Sequence, residues 1–521
     1  MKKYLTSLFI GLSIGLFLEA SNAEGKLKVF IFAGQSNMVG SDSNVKAIDD
    51  FPPYVGYGKE QQNNMFYYSI GREKKFKSEG WELLKPVNNV VGPEISFARK
   101  VAATINEPVA IIKCAAGGTH LGGDWNPDKP SGFKMYPLAL TLVKNALDEL
   151  KKKNIDYEIE GFMWHQGEND MFNEDYMKNY GDNLQNFLKR WRQDLGVPNL
   201  KFYVGELCTK TIWGMDLRPR MYAISKGQRQ VTESDDFAEY VPTAHIGVEI
   251  GGGVGLHYHY GTLGQLQHGI NYANAYLSSL GKVESDSRKL NKWPYPQGGI
   301  VKLFIMAGHR NMEGERAFKD DLKRIKDKKL LLDNNLDVAY KYSLGGNYKV
   351  SQEWEPLGLV DYYSSFGPEL SFGSFLDKKD IGDFAIAKFT HSGSQIIDWT
   401  PEGSMAESRN LYDKFIRFIK ESISEIREKG NEVKLEGIFY HIGENDMSFG
   451  PHRTNAPRWI NSIVEQSRKD LRNEELNWYL SQQPPTDDKS VNRINVVSEI
   501  EKMVKDDNHL FHIKAFDLVP Q

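Results

Sequence analysis

Cysteine is almost absent: Cys114 and Cys208 are the two thiols in 521 residues. That rules out a disulfide-rich scaffold, and without a CxxC spacing it argues against a metal or thiol-redox motif. Both follow apolar runs, VAIIKC and KFYVGELC, that read as parallel strands, so the two stand either as a disulfide or as two buried free thiols. A surplus of one charge is missing too. Lys and Arg number 65 against 69 Asp and Glu, for a net charge of −4, which leaves no basic footprint for nucleic acid. Long apolar runs are lacking beyond the first two dozen residues, so no later segment approaches membrane-spanning length. The one early run, residues 5–18, follows Lys2 and Lys3 and precedes the small residues Ser21 and Ala23. This is the pattern of a secretory signal peptide spanning residues 1–23, with an uncleaved anchor as the alternative. The expectation is a periplasmic or extracellular protein that has no membrane contact after cleavage. Aromatic residues, by contrast, are plentiful at 12%, and most are assigned to core packing.

What the chain does have is the same text twice. KLKVFIFAGQSNMVG (26–40) returns as VKLFIMAGHRNMEG (301–314), and GPEISF (92–97) as GPELSF (367–372). GGDW returns as IIDW, each ending in a tryptophan, Trp125 and Trp399, and HQGENDM (165–171) as HIGENDM (441–447). A nearly constant offset across four ordered blocks means duplication of a whole domain. The polar, Pro- and Gly-containing stretch 284–298 is the natural linker between a domain at 24–283 and a second at 299–521. Apolar runs alternate with amphipathic helical segments, which predicts α/β domains with parallel sheets covered on both faces. AHIGVEI (244–250) reads as one such strand, and the terminal HLFHIKAFDLVPQ as its second copy. The segment GLHYHYGTLGQLQHG has no second copy, so the second domain reads as truncated.

Parallel sheets place their sites at the carboxyl ends of the strands. Ser36 in GQSNM, Gly117, Gly167 and Cys208 all fall there. A serine after a strand is a potential nucleophile, although alone it is as readily a helix cap. Gly92 in VVGPE can offer a backbone N–H to a developing oxyanion, or simply turn the chain before a proline. Asn169 in GEND carries a side-chain amide suited to the same task, with Glu168 and Asp170 as possible orienters of a base. The plainer reading is an Asx turn. His257 and His259, in the loop HYHY, are two candidates for the base.

Ser36, Gly92, Asn169 and a late histidine resemble, in order, the four blocks of the SGNH (GDSL-like) hydrolases. The wording AGQSNM, GPE, GGT (117–119) and HQGE is similar to the sialate O-acetylesterase and acetylxylan esterase branch, carbohydrate esterase family 6. The resemblance implies tandem three-layer α/β/α domains, a serine esterase that removes acetyl groups from sugars through an acetyl-serine intermediate, an acetylated glycan as its partner, and no cofactor. It implies Ser36 as nucleophile, and the N–H groups of Ser36 and Gly92 with the Asn169 amide as the oxyanion hole. His259 is implied as base over His257, because Tyr260 follows it and Gly264 stands five positions on. The family's acid three residues before the histidine is missing, since position 256 is Leu. The resemblance then points to Glu168 of HQGE as the orienting acid, with Glu249 weaker. In the second domain Arg310 replaces Ser36 and the histidine segment is absent. That copy is expected to be catalytically dead, and either to pack as a structural partner or to bind a glycan or anion through Arg310. An esterase on a non-sugar acyl group and a non-catalytic carbohydrate-binding or scaffold protein are the competing functions. Retention of Ser36, Asn169 and His259 together argues against the last.

Overall fold

The computed structural model describes residues 26–514 apart from 73–74, 208–210, 213–214, 249–257, 283–287, 325–334, 361, 407–408, 444–445, 447–448 and 483–493. Signal segment 1–23, Cys208, Glu249 and His257 therefore lie outside the described residues.

Each half of the chain builds one sheet. In the first, β1 (Leu27–Gly34), β2 (Gln61–Ile70), β3 (Val109–Ala115), β4 (Tyr157–His165), β5 (Phe202–Gly205) and β6 (Ala238–Val241) are mutually parallel, in the order β6-β5-β4-β1-β3-β2. Two short antiparallel strands, Phe76–Lys77 and Glu82–Leu84, extend the β2 edge. Successive side chains of a strand point to opposite faces, and both faces here are covered. Val29, Ile31 and Ala33 of β1 pack under α3 (Met135–Lys152), α4 (Tyr180–Leu195) and α5 (Arg218–Ser234). Phe30 and Phe32 pack under α2 (Glu94–Ile105) and α6 (Gly261–Ser279). Burial on both sides is why these strands read as unbroken apolar runs rather than alternating ones. Each of the Val, Ile and Phe side chains contributes about 1.5–3 kcal/mol. Trp125 and Trp164 meet edge to face at 5.2 Å inside this core, so neither lines a cleft. Cys114 is a free buried thiol on β3.

The second half repeats the plan. Strands β7 (Ile300–Gly308), β8 (Asn335–Leu344), β9 (Phe384–Thr390), β10 (Glu432–Ile442), β11 (Trp478–Gln482) and β12 (Leu510–Ile513) lie in the matching order β12-β11-β10-β7-β9-β8. No counterpart of α6 follows β12 among the described residues, and Phe511 and Ile513 are exposed at that edge. Among the described residues no helix is long and apolar enough to cross a membrane.

One local expectation needs correction, and one helix was not anticipated. Residues 244–248 are not a strand. The last strand of the first sheet is β6, and β12 is its counterpart by position. The apolar character of AHIGV has a different cause: Ile246 and Val248 bury against Tyr260, and His245 stacks on Tyr348 of the second domain at 3.9 Å. Helix α5 had no clear sequence signal, because half of what it buries is polar: Arg218, Ser225 and Gln228 beside Met221, Ile224 and Val231. Arg218 is buried between the domains, where Asp216 of its own domain (2.6 Å) and Asp398 of the other (3.1 Å) both accept from it.

Candidate active site

The strand order reverses around β1. From β1 the chain runs out to β2, returns to β3, then crosses to β4, so the loops after β1, β3 and β4 open a crevice at the carboxyl end of the sheet. Three contacts staple those loops together. The Gln166 amide donates to Gln35 Oε1 (3.1 Å), to the Thr119 carbonyl (2.8 Å) and to Asp170 Oδ2 (2.6 Å). Asp170 in turn accepts from the N–H groups of Leu121 and Gly122. Its carboxyl is raised by burial, against the lowering effect of these bonds. At Gly34 only glycine fits, since a Cβ there would stand 2.1 Å from the His165 carbonyl oxygen.

Ser36 opens the short helix α1 (Ser36–Val39) directly after β1 and is half-buried. A Cβ on Gly117 would lie 3.5 Å from Ser36 Cβ, so the loop after β3 forms one wall beside the hydroxyl. A Cβ on Gly118 would lie 3.7 Å from Asn169 Nδ2 and 3.0 Å from Arg72 Nη1, which brings the loops after β2, β3 and β4 to one spot. Arg72 is exposed, lies over the Phe133 ring at 4.9 Å, and forms no ion pair among the described residues. Gly40, at φ 98°, closes α1 so tightly that a Cβ would sit 2.2 Å from the Val91 oxygen and 3.0 Å from Gly92 N. This seats Gly92 beside α1, and its N–H has no acceptor among the described residues. The adjacent Glu94 accepts from the buried Lys113 ammonium at 2.6 Å. Burial drives that ammonium's pKa down, with Glu94 only partly offsetting it.

His259 enters from the far end of the domain, held by the residue next to the serine. The buried Asn37 side chain donates to the Tyr258 carbonyl (2.9 Å) and accepts from the Tyr260 N–H (3.3 Å), so it grips the backbone on either side of His259. Gln265 of α6 donates to the Asn37 carbonyl at 2.9 Å. His259 Nδ1 meets Asp42 Oδ2 at 2.6 Å. Asp42 takes a left-handed φ of 61° just past α1.

Glu168 lies elsewhere. It is buried beneath the site, accepts from Asn37 Nδ2 at 2.7 Å, and has His165 Nε2 3.6 Å away. Burial pushes its carboxyl up, but His165 and Asn37 outweigh this and hold it below the usual carboxylate range. The carboxylate at the histidine is thus Asp42, and Glu168 supports Asn37 instead. Sequence reading looked for the acid beside the histidine or in HQGE and passed over Asp42, Asn37 and Arg72. A carboxylate six residues past the candidate nucleophile was the available signal for Asp42. Among the described residues no group of three or more His, Cys, Asp and Glu side chains could hold a metal ion.

The matching place in the second domain is closed. Arg310, opening α7 (Arg310–Glu313), is buried, pairs with Glu315 at 2.9 Å and donates to the Val248 carbonyl of the first domain at 2.6 Å. Its guanidinium is committed to protein groups rather than presented to an anion. Where Gly92 N–H is open, Gly367 N–H donates to Glu369 Oε1 at 3.0 Å.

A sequence profile described as carbohydrate esterase, sialic acid-specific acetylesterase, matches residues 26–278 and again 300–521. The chain belongs to this carbohydrate esterase family. A probable carbohydrate esterase of Arabidopsis thaliana is 25% identical over 203 residues, 36% of this chain; the chain spans 65% of that relative's length. A crystal structure of an A. thaliana protein, 21% identical, is matched over 49% of this chain and 99% of its own, with a TM-score of 0.38. A carbohydrate acetylesterase from Xanthomonas citri, 15% identical, is matched over 50% of this chain and 58% of its own at 0.36. The structure of NanS is 15% identical and matched over 50% and 98% at 0.38.

Proposed function

We propose that the first domain is an exported serine esterase that removes O-acetyl groups from a carbohydrate. The observation that carries the proposal is the joint placement of His259 by Asn37, the residue after Ser36, and by Asp42. With the Asp42 carboxylate on Nδ1, the Nε2 atom is left as the base. Nε2 takes the Ser36 proton as Oγ attacks the acetyl carbonyl. The oxyanion that forms is held by the Ser36 and Gly92 N–H groups and by Asn169 Nδ2. The C–O bond to the sugar then breaks, and the imidazolium gives its proton to the leaving sugar oxygen. Water, deprotonated by the same nitrogen, hydrolyses the acetyl-serine to acetate and free enzyme. Asp42 fixes the tautomer and stabilises the imidazolium. The cationic Arg72 beside Asn169 suits a sugar that carries a carboxylate, since guanidinium and carboxylate match in a bidentate pair.

The test is acetate release by residues 24–521 from 4-nitrophenyl acetate, acetylated xylan and O-acetylated sialic acid, beside Ser36→Ala. Abolition of turnover by Ser36→Ala supports the reading. Unchanged turnover in that variant defeats the nucleophile, and no turnover by the parent protein favours a binding function. Preference for the sialic acid substrate, lost as a rise in KM in Arg72→Met, supports the role given to Arg72. Processing after Ala23 during export, read from the N-terminus of the recovered protein, tests the localisation.

A further inference from the structure

The second cleft is filled by the first domain, and what fills it leads to the histidine. Residues 244–248 of the first domain lie across the carboxyl end of the second sheet much as a ligand would. A Cβ on Gly393 would stand 1.8 Å from the Ala244 carbonyl oxygen, so this glycine is required by the approach. Arg409 donates to the Gly393 carbonyl at 2.6 Å and fixes that wall. His245 stacks on Tyr348 and its Nε2 meets the Tyr363 hydroxyl at 2.8 Å. Arg310, standing where the first copy has Ser36, donates to the Val248 carbonyl. A serine side chain ends after one carbon and has no such reach.

On its other side the same segment forms the floor under Tyr260, the residue after His259. Ile246, Val248 and Tyr260 are buried as one apolar cluster. The Tyr260 hydroxyl donates to Thr243 Oγ1 at 2.8 Å, and Glu206 accepts from the N–H groups of Thr243 (3.3 Å) and Ala244 (3.1 Å). Above, the Tyr260 N–H is bonded to Asn37. Tyr260 is therefore clamped between the site helix and a segment that the second domain holds.

We infer that the cleft of the second domain positions the catalytic histidine, and that Arg310 is a positioning residue acting through Val248 and Tyr260 on His259. The inference rests on the esterase reading of His259. It gives the second copy a task that a binding domain would not have: its substrate cleft has become a socket for a piece of its own chain. Catalytic geometry is sensitive at this scale, since misplacement by about 1 Å can cost about 100-fold in rate.

The experiment uses the full chain, with rates expressed per mole of protein recovered in the folded peak of a size-exclusion column, so that unfolded molecules do not count. Arg310→Ala is expected to lower kcat on 4-nitrophenyl acetate by about 10- to 100-fold, with KM held within about twofold. Arg310→Lys, which keeps a long cationic donor, should recover most of the loss. Because Arg310→Ala strands the buried Glu315, two further variants guard against simple unfolding. Arg310→Met with Glu315→Gln removes both charges, and Gly393→Ala pushes on the Ala244 carbonyl with the ion pair intact. Both should reproduce the kcat loss. Ser36→Ala and His259→Ala run alongside. Full turnover in either one overturns the esterase site and this inference with it. If both are dead while the Arg310 and Gly393 variants keep kcat within about twofold, or change KM alone, the site stands and the positioning role falls.

Discussion

Substituting Asp42→Asn tests the site most directly, because the structure bounds the size of the effect. The Asp42 and His259 side chains meet at 2.6 Å, yet the Asp42 side chain is 59% exposed against 12% for His259. Two unit charges about 4 Å apart are worth about 1 kcal/mol in water and about 4 at the effective dielectric of a protein surface. A carboxylate more than half in solvent sits toward the lower figure, about 1–2 kcal/mol, or about 5- to 30-fold in rate at 1.4 kcal/mol per decade. That is far below the roughly 10⁴-fold loss expected when a buried triad aspartate becomes asparagine. We therefore expect Asp42→Asn to lower kcat/KM for 4-nitrophenyl acetate by about 5- to 30-fold. The gap from the parent enzyme should narrow as ionic strength rises from about 0.01 to 1 M, over which the Debye length falls from about 30 to 3 Å. Glu168→Gln preserves an acceptor for Asn37 and should cost less than Asp42→Asn. A 10⁴-fold loss in Asp42→Asn, no loss at all, or a larger loss in Glu168→Gln would refute the reasoning.

Three further outcomes follow from buried groups. Burial at the domain interface pushes the His245 imidazole down to about 3, whereas in the unfolded chain it takes a proton below about 6.5. The unfolded state thus binds one more proton between those values and stability rises with pH there, by about 2 kcal/mol from pH 5 to 6.5. Denaturant unfolding of His245→Phe should have a flatter pH dependence over that window, and an unchanged slope contradicts it. Lys113→Met leaves Glu94 buried without its partner and should cost about 3–5 kcal/mol, much of it recovered when Glu94→Gln is added; a neutral single variant would show the pair to be expendable. Burial pushes the Cys114 thiol up to about 12, so in a Cys208→Ser background Ellman's reagent at pH 8 should label it only after unfolding. Prompt native labelling would mean that β3 opens.

The parts of this protein legible in its sequence are those written in local pattern. Strands buried on both faces announce themselves as apolar runs, and Ser36, Gly92, Asn169 and His259 stand in ordered blocks that the fold gathers at one end of one sheet. What stayed hidden is what depends on distant partners. Asp42 and His259 are separated by 217 positions, and nothing around Asp42 marks it as a histidine's acid until α6 folds back over α1. Residues 244–248 misled for the opposite reason. Their apolar side chains signalled burial correctly, but the burial lies between Tyr260 and another domain rather than in a sheet, and periodicity does not distinguish the two. Helix α5 escaped because its buried face includes Arg218, whose partners are supplied partly by the second domain.

The two copies also separate fold from chemistry. Glu94 with Lys113 recurs as Glu369 with Lys388, each a fully buried pair. Asp170 accepting from Leu121 N–H recurs as Asp446 accepting from Ile396 N–H. Arg192 on Asp235 recurs as Arg468 on Asp507. The GPE glutamate and the GEND aspartate thus have structural duties that hold with or without turnover, and finding those motifs alone says little about catalysis. Of the positions proposed for the reaction, Gly92 and Asn169 are retained as Gly367 and Asn445, whereas the serine and the acid are not. Ser36 has become Arg310, Asp42 has become Arg316, and α6 with its histidine loop has no described counterpart. Both arginines now face the first domain: Arg310 on the Val248 carbonyl and Arg316 over the Phe51 ring at 6.0 Å. On the proposed reading of Ser36 and Asp42, the second copy needs neither a nucleophile nor an acid at these positions. Arg310 instead serves the contact between the domains, donating to a first-domain carbonyl from the place where the first copy carries the proposed nucleophile.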